Sequence, residues 1–304
     1  MTDMAADGPE IVLLRDTSRD DLTAPGRPRP VRVHRWRARG GGVPSPPLVV
    51  VSHGTGGSAD AMRWLTGPLA AAGFEVVALD HHGNNHVDGY EPEAFLQVWE
   101  RARDVTFALD VLAAERPLGP VGAAGFSLGG YTAAALVGAR LRRAALARVV
   151  SGGIPLPPLP EFPDLLAALR ARGHGEDLAA LLTGCDADLT DRRVRAVFQV
   201  APAMGALLSP ESLRSVTVPV EVRWGGADAV TPYEVSVRPY VEHMPTTRGR
   251  SLGPAVRHDD FFAEAPADPT AAPRAAADAV AFFAARLGSP AAADGRPGQG
   301  AGLR

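Results

Sequence analysis

The chain contains no lysine: all 31 of its basic residues are arginine. Against 34 acidic residues they leave a formal net charge of -3, so no overall basic field exists to hold nucleic acid or an anionic membrane. The missing lysine also removes the G-x-x-x-x-G-K-[ST] phosphate loop, and nucleotide hydrolysis through such a loop falls away. Cysteine is nearly absent. With Cys185 alone, an internal disulfide is impossible and a thiolate metal cluster is excluded, which suits a reducing cytoplasm. Long apolar runs are missing near the start: after the polar residues 1–10, the first run, 11–14, is far shorter than a signal-peptide core or a membrane span. A cytoplasmic chain without a membrane span is expected.

What is present is the balance of a globular protein. The 304 residues are 46% hydrophobic and 21% charged, enough for an ample core in one large domain or two smaller ones. Residues 31–36 alternate like a strand. Residues 48–51, LVVV, form an uninterrupted apolar run of the kind a parallel strand covered on both faces requires. It breaks off at Ser52-His53-Gly54-Thr55-Gly56-Gly57; a helix over about 59–72 and a second buried strand, 74–79, complete a strand–helix–strand unit. The rhythm repeats with a helical pattern over 92–115, a strand over 121–126 and a helix from about 129, then strands over 194–200 and 216–224 and an Ala-rich helix over 275–287. A mostly parallel central sheet with helices on both faces is expected. Residues 140–191 interrupt the pattern with a Pro-rich stretch, 154–163, and two helical patterns, 164–172 and 176–182. They read as a helical cap inserted into a domain spanning 1–288. There Leu165, Leu166, Leu169, Leu181 and Leu182 could equally line a pocket or pack on one another. Residues 289–304 are Gly-, Pro- and Ala-rich and read as a disordered tail.

The chemistry is concentrated in a few loops. Gly125-Phe126-Ser127-Leu128-Gly129 is a G-x-S-x-G sequence between a strand and a helix, where Ser127 must occupy a very tight turn that exposes its hydroxyl and aims the N–H of Leu128 at a developing oxyanion. A serine hydroxyl needs a base, and the base needs an orienting group. His258, after the last expected strand, is the candidate base. Asp228, in the turn Trp224-Gly225-Gly226-Ala227-Asp228, is the candidate acid, whereas Asp259 and Asp260 lie too close to His258 in sequence to orient it. The order Ser127, Asp228, His258, with separations of 101 and 30 residues, is that of an α/β-hydrolase triad. The loop 52–57 offers the backbone N–H of Thr55 as second oxyanion donor. His81, His82 and His86, with Asp80 and Asp88 nearby, lack the spacing of a zinc motif and read as structural. Arg103 and Asp104 read as a polar pair, and Cys185 as packing.

On these residues the chain resembles the serine α/β-hydrolase superfamily, and within it the dienelactone-hydrolase-like proteins related to the platelet-activating-factor acetylhydrolases. The likeness runs through SHGTGG at 52–57, LDHHGNN at 79–85, ERARDVTFALD at 100–110, GFSLGG at 125–130, RVRAVFQVAPAMG at 193–205, VTVPVEVRWGGADAVTP at 216–232 and HDDFF at 258–262. It implies the α/β-hydrolase fold, Ser127 as nucleophile, Asp228 as acid, His258 as base, and Thr55 and Leu128 as oxyanion donors, with no cofactor and no metal. True dienelactone hydrolases carry Cys at the elbow, where this chain has Ser127. The expected activity is hydrolysis of a small-molecule carboxylic ester through an acyl-enzyme. An amidase, thioesterase or acyltransferase would use the same triad, and a binding protein on a hydrolase fold would leave it idle.

Overall fold

The computed structural model describes residues 8–38, 45–155, 159–175 and 178–288; the tail expected over 289–304 lies outside them. Eight strands form one sheet: β1 (Glu10–Asp20), β2 (Pro28–Trp36), β3 (Leu48–Ser52), β4 (Glu75–Asp80), β5 (Val121–Phe126), β6 (Val194–Val200), β7 (Val220–Trp224) and β8 (Thr247–Ser251), in the order β1-β2-β4-β3-β5-β6-β7-β8. All neighbours from β4 to β8 are parallel, and β2 runs antiparallel to both β1 and β4.

The apolar run of β3 shows why the sheet is central. Leu48 and Val50 enter the core on one face, with α3 (Glu100–Glu115) and α4 (Leu128–Ala135). Val49 and Val51 enter the core on the other face, with α1 (Arg63–Ala71) and α9 (Ala271–Leu287). A strand with two buried faces has no polar positions to alternate. The helical pattern over 92–115 is divided into α2 (Pro92–Leu96) and α3 by residues 97–99. The stretch between α4 and β6 holds α5 (Arg143–Val150), α6 (Leu165–Leu169) and, after a kink at Gly173, a 3-10 turn over Leu178–Leu182. Toward the carboxyl end lie α7 (Pro210–Arg214) and α8 (Arg238–His243). Among the described residues no helix is long and apolar enough to cross a membrane.

Parallel strands leave their carboxyl ends along one edge of the sheet, and loops there face a common crevice. Ser52, Ser127 and the loop holding Asp228 all stand at or just beyond such ends, after β3, β5 and β7.

Candidate active site

Ser127 is held at φ 53° and ψ −119° between β5 and α4, a conformation that costs a residue with a side chain about 1–3 kcal/mol and persists only where its surroundings enforce it. The enforcement is visible. The Ser127 N–H donates to the Val200 carbonyl at 2.9 Å, and its own carbonyl accepts from the N–H groups of Gly130 at 2.9 Å and Ala203 at 3.0 Å. The flanking glycines serve close approach: a Cβ on Gly125 would collide with the Gly129 carbonyl, and one on Gly129 with the Ser52 carbonyl. Leu128 opens α4, so the helix itself offers its N–H no partner.

Asp228 and His258 meet across the loops after β7 and β8. Nδ1 of His258 lies 2.8 Å from Oδ2 of Asp228. The second carboxylate oxygen accepts from the backbone N–H groups of Val230 at 2.9 Å and Thr231 at 2.8 Å, and the Thr231 hydroxyl donates to Oδ2 at 2.8 Å. Burial alone would raise the pKa of Asp228, but the hydrogen bond and charge of His258 and the donors of Thr231 hold it below the ordinary carboxylate range. A buried carboxylate kept ionised makes Nδ1 the protonated nitrogen of a neutral ring, which leaves Nε2 as acceptor. Asp260 is committed elsewhere, to the backbone N–H groups of Arg257 and Asp268, and Asp259 to the Arg257 guanidinium. The link to the elbow is Phe126, whose ring centroid lies 4.7 Å from that of His258.

The loop 52–57 packs directly against the elbow, since a Cβ on Gly54 would stand 3.3 Å from the Ser127 Cβ. Its peptides are tied down one by one. The Gly54 carbonyl accepts from the Gly57 N–H at 3.3 Å and lies 2.6 Å from Nδ1 of His53, while the Gly56 N–H donates to Oδ1 of Asn84 at 2.9 Å. Asp80 accepts from the Ala59 N–H at 2.6 Å and lies 2.8 Å from Nε2 of His34.

Among the described residues no three His, Cys, Asp or Glu side chains are grouped to hold a metal. His81 sits between Asp104 and the Ser52 hydroxyl at 3.3 and 3.2 Å, His82 accepts from the Leu22 N–H at 3.1 Å, and His86 faces the Gly56 carbonyl at 3.3 Å. The expected Arg103–Asp104 pair does not form. Adjacent helical residues point in different directions: Arg103 reaches Glu100 at 3.5 Å, while buried Asp104 binds Arg29 at 2.8 Å and Arg19 at 2.9 Å. Cys185 is buried, and burial raises its thiol pKa.

Sequence reading passed over two residues here. Thr231 braces Asp228, and Arg101, almost fully buried, donates from Nη2 to the His53 carbonyl at 2.6 Å. The only signal was their membership of motif segments. The segment between α4 and β6 leans over the loop: Glu161 lies against Gly56, and the Phe162 ring is 4.9 Å from Phe95. A cavity of about 210 Å³ inside it is lined by Ile154, Leu159, Phe162, Leu165 and Leu166 among others, and by none of Ser127, Asp228 and His258. Leu169 and Leu182 instead join the core.

A family model described as serine aminopeptidase, S33, matches residues 44–177, a span that includes Ser127 and ends before Asp228 and His258. A sequence comparison with curated proteins gives no match. Esterase 2 of Thermogutta terrifontis phosphorylated by paraoxon aligns at TM-score 0.58 and 18% identity, covering 92% of this chain and 95% of that one. The butyrate-bound form of the same esterase gives 0.59 and 14% over 92% and 95%. An alpha-beta serine hydrolase homologue from Coxiella burnetii gives 0.53 and 15% over 90% and 96%. The fold is the α/β-hydrolase fold. Within it, the elbow, the crevice and the loops that carry Asp228 and His258 fall where open α/β sheets place ligands.

Proposed function

We propose that this α/β-hydrolase-fold chain is a serine hydrolase that cleaves a small-molecule carboxylic ester through an acyl-enzyme. The observation that carries the reading is the buried Asp228–His258 pair at 2.8 Å, packed through Phe126 against a serine held at positive φ. Nε2 of His258 takes the Ser127 proton as Oγ attacks the ester carbonyl, and the N–H groups of Thr55 and Leu128 bind the oxyanion. The proton then passes to the leaving alkoxide. Water activated by the same nitrogen releases the acid, and Asp228 stabilises the imidazolium in both halves. The sequence resemblance to the dienelactone-hydrolase-like and platelet-activating-factor acetylhydrolase group, and the likeness in fold to Thermogutta terrifontis esterase 2, support an ester substrate. Residues 140–191 act as the cap that selects it. The protein works without cofactor in a reducing cytoplasm.

Hydrolysis of p-nitrophenyl esters of graded acyl length, wild type beside Ser127→Ala, with intact-mass detection after a fluorophosphonate, tests this reading. Turnover and labelling should both vanish in the variant; ester turnover by folded Ser127→Ala protein would sink it. The description of the matched family favours a second reading, amide cleavage at a peptide amino terminus. Aminoacyl p-nitroanilides assayed beside the esters separate the two: labelling with anilide but not ester turnover would replace the ester by an amide.

A further inference from the structure

Arg101 is the charged side chain whose placement the triad does not explain. It projects from the first turn of α3 and is only 2% exposed. Among the described residues it makes no ion pair: the nearby carboxylate, Asp104, already holds Arg29, Arg19 and His81. Its Nε and Nη1 have no hydrogen-bond partner there either. A buried guanidinium so poorly compensated is costly for a fold to keep. Its one strong bond runs from Nη2 to the His53 carbonyl at 2.6 Å, and the same nitrogen lies 3.0 Å from Nδ1 of His53.

The state of His53 follows from its neighbours. The His81 backbone N–H lies 3.1 Å from Nε2 of His53, so Nε2 must accept and Nδ1 must carry the proton of a neutral ring. Nδ1–H then donates to the Gly54 carbonyl at 2.6 Å. That carbonyl belongs to the same peptide unit as the Thr55 N–H. A trans peptide is planar, with C=O and N–H pointing opposite ways. Whatever grips the Gly54 oxygen therefore sets the direction of the Thr55 N–H.

We infer that Arg101 is a positioning residue of the oxyanion hole: by clamping the His53 carbonyl it fixes the imidazole that holds the Gly54–Thr55 peptide, and with it the Thr55 N–H, toward the reacting carbonyl. The inference rests on the ester-hydrolase reading above. The uncompensated guanidinium charge adds a positive field behind the loop, which disfavours a second proton on His53 and favours a developing oxyanion. Arg101 reaches no substrate in this scheme; it acts through His53.

The test compares wild type with Arg101→Met and Arg101→Lys, reading kcat and KM for a p-nitrophenyl ester, and the inhibition constant of a trifluoromethyl ketone, which mimics the oxyanion only after addition of Ser127. Thermal melts confirm folding, and fluorophosphonate labelling counts active sites. Arg101→Met should lower kcat about 10- to 100-fold per labelled site with KM within about twofold, and weaken the ketone by a similar factor. Arg101→Lys, which keeps the charge and one donor, should recover part of both. A folded Met variant with wild-type kcat and ketone affinity overturns the inference. If the Met variant does not fold, Arg101→Gln, which drops the charge and is too short to reach the His53 carbonyl, decides: equal losses in kcat and ketone affinity support the role, and an unchanged kcat per labelled site rejects it. Wild type that neither labels nor turns over ester would fail the underlying reading instead.

Discussion

The ring of Phe126 lies 4.7 Å from the ring of His258, tilted by 34°, so the residue immediately before Ser127 also packs against the His258 imidazole. Phe126 packs in turn on Trp64 and Phe261 at 6.2 and 5.2 Å, which ties the His258 loop to α1. Phe126→Ala should therefore act twice. Losing a buried aromatic costs about 3–5 kcal/mol of stability, and a freed imidazole lowers kcat about 10- to 100-fold even in the molecules that remain folded. Urea unfolding beside kcat per fluorophosphonate-labelled site separates the effects; unaltered kcat per labelled site would show that the ring does not position the base.

Asp228 collects four donors: two backbone N–H groups, the Thr231 hydroxyl and His258. Asp228→Asn keeps the shape but can present an amide N–H to Nδ1, favouring the tautomer whose Nε2 is protonated and unable to accept from Ser127. A loss of about 10⁴ in kcat is expected. Thr231→Val removes one donor only. It should cost less than about tenfold in kcat; a loss matching that of Asp228→Asn would mean that Thr231 does more than brace the carboxylate.

The glycines of the elbow make a stability prediction. Gly129→Ala places a Cβ against the backbone carbonyls of Ser52 and His53, where helix α4 crosses the end of strand β3. Overpacking of this kind costs about 1–3 kcal/mol, with more where backbone must shift. Gly26→Ala, at positive φ but with open space around its Cβ, is a control for backbone strain without overpacking. Equilibrium urea unfolding should rank Gly129→Ala as the more damaging, and the reverse order would disprove the crossing argument.

Much of this arrangement was legible in the sequence because burial writes itself into residue type. The expected strands 121–126 and 194–200 coincide with β5 and β6, since a strand covered on both faces is mostly apolar. β1 and β8 were invisible for the opposite reason: both are edge strands, and the Thr247–Ser251 sequence, TRGRS, offers no apolar alternation. The loops holding Ser127, Asp228 and His258 could be found from chain order. Arg101 could not, because in the helical pattern it reads as one more solvated position; only the packing of α3 beneath the 52–57 loop reveals it as buried. Likewise the Arg29–Asp104 contact spans 75 residues and depends on the antiparallel addition of β2 to β4, which no local pattern encodes.

The buried histidines behind the loop give a pH dependence with a definite sign. Burial first, then the charge of Arg101, push His81 down to about 4 despite the opposing pull of Asp104, and the same two causes push His53 well below 6.5. In the folded chain both rings stay neutral at pH values where the unfolded chain protonates them. Between about 6.5 and 4 the unfolded state thus binds more protons, so stability falls as pH drops through that window and is fully retained above it. For His81 alone the change is on the order of 3 kcal/mol. Asp104, Asp80 and Asp228 are all held below the ordinary carboxylate range, so their contribution is lost only at more acid pH and does not blur the effect. Equilibrium urea unfolding at pH 7.5 and 4.5 should show the loss in wild type, and His81→Gln, which can still bridge Asp104 and Ser52, should show less of it. Equal stability at the two pH values in wild type would mean that these imidazoles are protonated in the fold, and would remove the neutral His53 on which the orientation of the Thr55 peptide depends.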